Sequence, residues 1–323
     1  MRWYINDTSL QGQFHRASDF FQLLEGLLSC RSRLPNLQAA LYLTKSIAEA
    51  KITIDQTFRQ AIMSSNNPEL RRSVLQWLDR RGPFIEDDRH PEGDDYFECY
   101  GYDVTDNGLG EATRRAKAGM PVISFSFKRG STDFATTPLT VHHGIPDDRI
   151  GSYDINNLFE LDGLEFSVLN SRPAPTNWEQ LIQFARAEYE HLTIPDSVFT
   201  NTALSKESFE IAISDRALVL LKHLNDYMGG RAAGGNEGPI ARQIIDDYFT
   251  GSNARFSGES PTNQNDFRAE MTFQDPENQQ RGIFAHWHGK ISRRYFRLHF
   301  EWPIASNETK IKILYLGPKI TKR

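Results

Sequence analysis

Histidine, lysine and arginine side chains are concentrated in the segment FAHWHGKISRRYFRLHFEW, at positions 284–302. Alternate residues of a β-strand project from the same face, so each short run in this segment would present its polar side chains together. Lysine and arginine stabilise the charge that grows on phosphate oxygens during cleavage, and histidine moves protons near neutral pH. The segment therefore predicts a phosphodiester site with these catalytic candidates: His286, His288, Lys290, Arg297 and His299.

Two other interpretations of this segment stay open. Zinc binds neutral imidazoles, but Lys290, Arg294 and Arg297 would repel a dication, which disfavours a metal site. A solvated pair of strands explains the arginines, although two histidines on either side of Trp287 are an unusual way to fill solvent-facing positions. We expect a phosphate-binding surface first, a solvated hairpin second and a metal site last.

The order HGKI, YFRLHFEW and KIKILYLGPKI resembles the core hairpins of the RelE-like toxin family, over roughly the last fifty residues. In that family, ribosome-dependent cleavage of mRNA relies on Lys, Arg, Tyr or His in place of a metal. The resemblance implies a role for Lys290, Arg297, Tyr315 and Lys319, with the histidines as proton carriers and no cofactor. It also implies RNA in preference to DNA as the partner, with a ribosome or a defence-system protein as a further partner. The predicted nucleic-acid-binding residues are Arg293, Arg294, Tyr315, Lys319 and Lys322.

A second group of candidates lies in the first half of the chain, where WYINDTSL, GLGEATRRAKAGMPVIS and STDF resemble the opening of PIN-like ribonucleases over roughly residues 1 to 145. That resemblance implies a Mg²⁺ site with Asp7, Glu111 and Asp133 as ligands, since convergent carboxylates can hold an ion that activates water. The alternative is an α/β domain in which Asp7 is a cap and Glu111 is solvated.

Charge is unevenly distributed along the chain, whose formal net charge is −5. The segment 86–106 contains nine acidic residues and one arginine, whereas the segment 281–323 contains ten basic residues and two acidic ones. Either the two segments face each other, or the first binds a cation and the second a polyanion.

The composition is that of a globular protein outside the membrane, with 39% hydrophobic and 24% charged residues. The chain lacks an apolar run of the roughly 20 residues that a membrane span needs, and its start, MRWYINDTSL, does not have the pattern of a secretory signal. The two cysteines, Cys30 and Cys99, exclude a disulfide framework. We expect a cytoplasmic protein without a membrane partner.

The elements that would position these residues give an α+β fold: a helix-rich α/β N-terminal part and a small antiparallel β-sheet at the C-terminus. We predict three regions, namely an α/β domain of PIN-like type at 1–150, a mostly helical middle at 151–255, and a basic antiparallel sheet of RelE-like type at 256–323. The glycine-rich stretch at 229–239 is predicted to be a linker or a helix-to-helix loop, because it lacks the Gly-Lys-Ser/Thr ending of a phosphate-binding loop and no strand precedes it.

These observations predict a nucleic-acid-processing protein, an RNase or other nuclease of a bacterial toxin or anti-phage defence system. The alternative is a non-catalytic subunit of a defence complex whose basic sheet binds nucleic acid or an acidic protein. As a whole the chain resembles bacterial defence-associated proteins.

Overall fold

The structure, a computed structural model, describes residues 1–88, 95–127, 134–200, 203–251, 254–291 and 295–321. The chain divides into two compact units, Met1–Ala174 and Pro175–Arg323. The first unit extends past residue 150, and the region predicted at 151–255 is divided between the two units, because two strands and a helix that follow residue 150 belong to the first unit.

The first unit is built around two small sheets. Its strands are β1 (Arg2–Asn6), β2 (Leu41–Tyr42), β3 (Phe97–Cys99), β4 (Tyr102–Asp103), β5 (Val122–Ser126), β6 (Leu139–His143), β7 (Gly151–Ile155) and β8 (Asn157–Leu158). One sheet is parallel, with the order β2-β1-β5-β8. The other is antiparallel, with the order β4-β3-β6-β7.

Helices cover the parallel sheet of the first unit. They are α1 (Ala17–Arg33), α2 (Pro35–Ala40), α3 (Phe58–Ser64), α4 (Pro68–Gln76), α5 (Ile85–Asp88), α6 (Gly108–Lys117) and α7 (Leu161–Leu169), with 3₁₀ turns at Asp7–Ser9 and Lys45–Glu49 and a π-helical turn at Trp77–Arg81. β1 is buried along its whole length, as expected for a parallel strand covered on both faces. Its alternate residues serve two cores: Trp3 and Ile5 join one hydrophobic cluster and Tyr4 joins another.

The second unit contains a five-stranded sheet and a separate hairpin. Its strands are β9 (Leu192–Thr193), β10 (Phe256–Gly258), β11 (Thr272–Gln274), β12 (Gly282–Phe284), β13 (Trp287–Ile291), β14 (Phe296–Phe300) and β15 (Ile311–Pro318). The sheet order is β10-β13-β14-β15-β9, in which neighbouring strands are antiparallel except for the parallel pair β15 and β9. The hairpin is formed by β11 and β12.

Helices pack on one face of this five-stranded sheet. They are α8 (Trp178–Glu188), α9 (Ser197–Thr200), α10 (Ile211–Gly229) and α11 (Pro239–Tyr248), with 3₁₀ turns at Ala203–Lys206 and Ala233–Gly235. α12 (Pro261–Asp266) is not part of this layer, because it has no buried residue and its Asn263 contacts Glu259, which lies beside His288. Phe296, Leu298 and Phe300 of β14 alternate into the hydrophobic cluster that also contains much of α10. α10 approaches closely at Gly289, where a Cβ atom would lie 2.8 Å from Leu220 Cδ1. The opposite face of the sheet carries the polar side chains.

The predicted fold class is confirmed, because the chain is an α+β protein with an antiparallel sheet at its C-terminus. The glycine-rich stretch connects α10 to α11 and is therefore a helix-to-helix loop, as predicted. Among the described residues, the helices are too short or too polar to cross a bilayer.

Candidate phosphate-binding site

The register of the C-terminal sheet brings the polar residues of its strands side by side. Between β13 and β14, His288 lies opposite His299 and Lys290 lies opposite Arg297. On the other side of β14, Tyr315 of β15 lies opposite His299. Because side chains directly opposite each other share a face, the sheet carries a row of two histidines and a tyrosine next to a row of two cations. We call the pair Lys290 and Arg297 the cation row.

The histidines of the first row are buried. His288 is 4% exposed and His299 is 1% exposed, and their ring centroids are 5.4 Å apart. The Nδ1–H of His299 donates to the carbonyl oxygen of Ala285 at 2.8 Å, so its Nε2 is the unprotonated nitrogen of the neutral ring. Nε2 of His299 and Nδ1 of His288 are buried without a hydrogen-bond partner in the described part of the chain.

Burial keeps both rings neutral. Desolvation, followed by the influence of the neighbouring His299, lowers the pKa of His288 to about 3. Desolvation also lowers the pKa of His299 to about 4, against the opposing effects of the Ala285 carbonyl and of Glu259. At neutral pH each imidazole is therefore uncharged, and its lowered pKa makes it a weak base.

A carboxylate that the sequence did not single out stands beside this row. Glu259 follows β10, and its Oε1 lies 3.6 Å from Nδ1 of His288. The amide of Asn263 donates to the other carboxylate oxygen of Glu259 at 2.7 Å, which fixes its orientation. The strand pairing of β10 with β13 brings Glu259 here, and its loop, SGESPTNQND, has no pattern that would have indicated this.

The cation row is the more accessible part of the face. Lys290 is exposed, and its ammonium group donates only a long hydrogen bond of 3.4 Å to the Ala254 carbonyl. Arg297 is half-buried, and one of its terminal nitrogens donates to the Phe296 carbonyl at 2.8 Å while its Nε has no partner. Burial lowers the pKa of Arg297, and nearby Glu259 opposes that shift. Within the described ranges neither cation forms an ion pair, so both charges remain available to an anion.

The remaining predicted residues of the tail are placed differently. His286 precedes β13, is half-buried and stacks on Phe284 with ring centroids 5.3 Å apart. The hydroxyl of Tyr315 donates to the Pro318 carbonyl at 2.6 Å, which engages the proton that catalysis would need. Lys319 is half-buried, next to the end of β15. Three predicted binding residues lie outside the described residues: Arg293, Arg294 and Lys322.

Part of the positive charge of the tail is already neutralised within the second unit. Lys312 is buried, with its Nζ 3.2 Å from Asp275 and 2.8 Å from Glu277. Arg281 forms an ion pair with Glu301 at 2.7 Å. Lys312 and Arg281 are therefore already paired, unlike Lys290 and Arg297 of the cation row.

In the first unit, Asp7 lies at the carboxyl end of β1, as the opening-strand pattern implied. Its two carboxylate oxygens accept hydrogen bonds from the Thr44 hydroxyl at 2.7 Å and from the backbone N–H of Gly108 at 2.9 Å. Desolvation raises the pKa of this carboxyl, although both hydrogen bonds oppose the shift. Gly108 is the first residue of α6, and Asp7 thus anchors the start of that helix.

Glu111 is buried in an ion-pair network and is not solvated. Its carboxylate accepts from Nε of Arg115 at 2.7 Å and lies 3.4 Å from Arg114. Asp133, the third predicted ligand, lies outside the described residues. Elsewhere in the described chain, groups of three or more His, Cys, Asp or Glu side chains placed to share a metal ion do not occur. The Mg²⁺ site therefore stays a prediction.

Several carboxylates of the acidic segment have partners within their own unit. Asp95 accepts from His143 Nε2 at 2.8 Å and also forms an ion pair with Lys117. Glu98 forms an ion pair with Arg149 at 2.6 Å. These contacts favour a structural role for the described part of the segment, in holding β3 and β6 against α6.

Comparison of the chain with protein-family models, with curated proteins and with solved structures found no match. The RelE-like and PIN-like resemblances therefore stay predictions from sequence. Function has to be argued from the geometry of the site.

Proposed function

We propose that this protein processes nucleic acid, and that its C-terminal sheet binds the phosphate backbone of RNA in preference to DNA and cleaves it. The observation that carries the proposal is the cross-strand pair of Lys290 and Arg297, two adjacent cations without an ion pair among the described residues. The RelE-like and PIN-like resemblances of the sequence support a role in a bacterial toxin or anti-phage system.

Phosphate binding follows from the chemistry of the pair. Arginine presents a planar fork of donors that matches phosphate oxygens, and lysine adds a compact positive charge. Side chains opposite each other on antiparallel strands have Cβ atoms about 5 Å apart, which allows both to reach one phosphodiester. The preference for RNA is supported by the RelE-like resemblance and by the 2′-hydroxyl, which supplies an internal nucleophile that DNA lacks.

Cleavage would use one neutral histidine, His286, as the base, because the low pKa values of His288 and His299 make those two rings weak bases. A neutral imidazole accepts the proton of the 2′-hydroxyl as its oxygen attacks phosphorus, while the cation row stabilises the growing negative charge. The departing 5′ oxygen takes its proton from water. His286 is the histidine that a bound strand reaches most easily, because its side chain is half-buried whereas His288 and His299 are almost fully buried.

The same burial favours a second function, that of a non-catalytic subunit that binds nucleic acid. With His288 4% exposed and His299 1% exposed, a strand seated on the cation row touches neither ring unless the covering residues move. In this second function the histidines are part of the packing beneath a binding surface.

A cleavage assay separates these functions. Labelled single-stranded RNA and DNA are incubated with the full-length protein, with Mg²⁺ in one arm and a chelator in the other. We expect RNA cleavage that survives the chelator and is lost in His286→Ala and in Lys290→Ala, but not in Lys310→Ala. Lys310 is a matched control because it is an exposed lysine of the same tail outside the sheet.

Each other result of the assay points elsewhere. Cleavage that requires Mg²⁺ and is lost in Asp7→Asn would move the chemistry to the carboxylates of the first unit. Binding that weakens with salt, without turnover, would support the non-catalytic subunit. The proposal would be contradicted if the protein neither bound nor cleaved any nucleic acid.

A further inference from the structure

A cavity of about 380 Å³ lies in the first unit, on the side where α1 and α4 meet. Its volume falls within the range of sites that hold small molecules. Two cationic side chains line one end of it, Arg31 from the last turn of α1 and Arg81 from the π-helical turn that follows α4. This cavity is unrelated to the cation row, which belongs to the second unit.

Arg31 is a buried cation that has no anionic partner among the described residues. It is 8% exposed, and its Nη2 donates to the carbonyl oxygens of Gly82 at 2.7 Å and Gln38 at 3.3 Å. Its guanidinium lies over the ring of Trp77, 5.0 Å from the centroid. Nε of Arg31 and Nε1 of Trp77 are both buried donors without an acceptor in the described chain. Burial of a charge is costly unless a counter-charge compensates it, and two carbonyls supply dipoles but no charge.

Arg81 makes the positive charge of this end larger. It is exposed, lines the same cavity and has no ion pair with any described residue. Burial, and then the charge of Arg81, lowers the pKa of Arg31 to about 10. The hydroxyls of Ser29 and Ser73 also line the cavity and add donors there. Two cations together with neutral donors suit a doubly charged anion better than a singly charged carboxylate.

The other end of the cavity is acidic. Glu25 and Glu69 line it, and the Asn67 amide links the two helices there by donating to Glu25 at 3.1 Å. At 1.5 Å per residue, Glu25 lies roughly 9 Å along α1 from Arg31. A ligand that spans the cavity therefore meets cations at one end and carboxylates at the other. A dicarboxylate would be repelled at the acidic end, whereas sugar hydroxyls would donate to it.

We propose that this cavity binds a small sugar phosphate, with its phosphate at Arg31 and Arg81 and its hydroxyls at Glu25 and Glu69. The phosphate supplies the counter-charge that Arg31 lacks. The two carboxylates favour a ligand whose other end carries hydroxyl groups over a ligand whose other end carries a second negative charge.

Calorimetric titration of the full-length protein with ribose 5-phosphate tests this site, with inorganic phosphate, ribose and succinate as comparison ligands at constant ionic strength. We expect saturable binding of ribose 5-phosphate, weakened about tenfold or more in Arg81→Ala. Glu69→Gln should lower the affinity for ribose 5-phosphate about threefold and leave the affinity for inorganic phosphate unchanged. Arg80→Ala is the matched control, because Arg80 is an exposed neighbour in the same turn that does not line the cavity.

Three results would overturn the inference. The first is an absence of saturable binding of ribose 5-phosphate. The second is an equal effect of Arg81→Ala and Arg80→Ala. The third is binding of succinate or of bare phosphate that is as tight as binding of ribose 5-phosphate. Arg31 is left unchanged in all variants because it is part of the core, and unchanged thermal unfolding of Arg81→Ala confirms that the fold is intact.

Discussion

Burial decides what the histidines of the C-terminal sheet can do. A zinc site would need their unprotonated nitrogens to converge with a further ligand, yet the described residues contain no such group. Glu259 stands 3.6 Å from His288 and does not accept a hydrogen bond from it. The two rings are thus neutral and buried beside an accessible pair of cations, an arrangement that suits anion binding better than metal binding.

The lowered pKa of His299 predicts a specific dependence of stability on pH. The unfolded chain protonates this ring near 6.5, whereas the folded protein resists protonation down to about 4. Acid therefore favours unfolding as pH falls through this window, by up to about 1.4 kcal/mol per pH unit for each such group. His288 and His223 act in the same direction.

His299→Asn isolates the contribution of His299, because asparagine keeps an N–H donor for the Ala285 carbonyl but does not titrate. The free energy of unfolding is measured by urea titration at a series of pH values. We expect it to fall less steeply with decreasing pH in the variant than in the original protein. Equal slopes in the two proteins would show that this ring is not buried in its neutral form.

At the scale of elements, the junction of β1 with α6 is held by very close packing. A Cβ atom at Gly108 would lie 1.8 Å from the carbonyl oxygen of Ile5, so only glycine allows the helix to begin there. The carboxylate of Asp7 accepts a hydrogen bond from the first backbone N–H of α6, that of Gly108. A negative charge or an acceptor at the N-terminus of a helix is stabilising. The geometry makes Asp7 a structural anchor even without a metal.

Asp7→Ala should lower the free energy of unfolding by about 1–3 kcal/mol, since it leaves the Gly108 N–H and the Thr44 hydroxyl without their acceptor. Asp55→Ala, at an exposed aspartate of the same unit, is the matched control and should have little effect. Urea unfolding measures both. An increase in melting temperature on addition of Mg²⁺, seen in the original protein and lost in Asp7→Ala, would instead assign Asp7 to a metal site.

The sequence predicted which residues share a strand face but not which strands lie side by side. Alternation alone placed His288 with Lys290 and Arg297 with His299. The pairing of β13 with β14 and of β10 with β13 depends on residues far apart in sequence. This pairing places Glu259 beside His288, and no local sequence pattern indicates that contact. Burial of the histidines was also missed, because it comes from residues distant in sequence, such as Ala285 beside His299.

At the scale of the whole molecule, the acidic segment lies in the first unit and the basic tail in the second, and many of their charges are paired within the same unit. Lys312 pairs with Asp275 and Glu277 in the second unit, and Asp95 pairs with Lys117 in the first. Each unit also has cations that form no ion pair with a described residue, namely Lys290 and Arg297 in the cation row and Arg31 and Arg81 in the cavity of the first unit. Net charge alone, at −5, conceals both.

Binding of labelled single-stranded RNA as a function of salt tests the central claim most directly. If Lys290 contacts a phosphate, Lys290→Ala weakens binding on every RNA sequence and reduces the slope of log affinity against log salt by about 0.7, whereas Lys310→Ala leaves both unchanged. Equal slopes for the original protein and Lys290→Ala would contradict the account, as would equal losses in Lys290→Ala and Lys310→Ala.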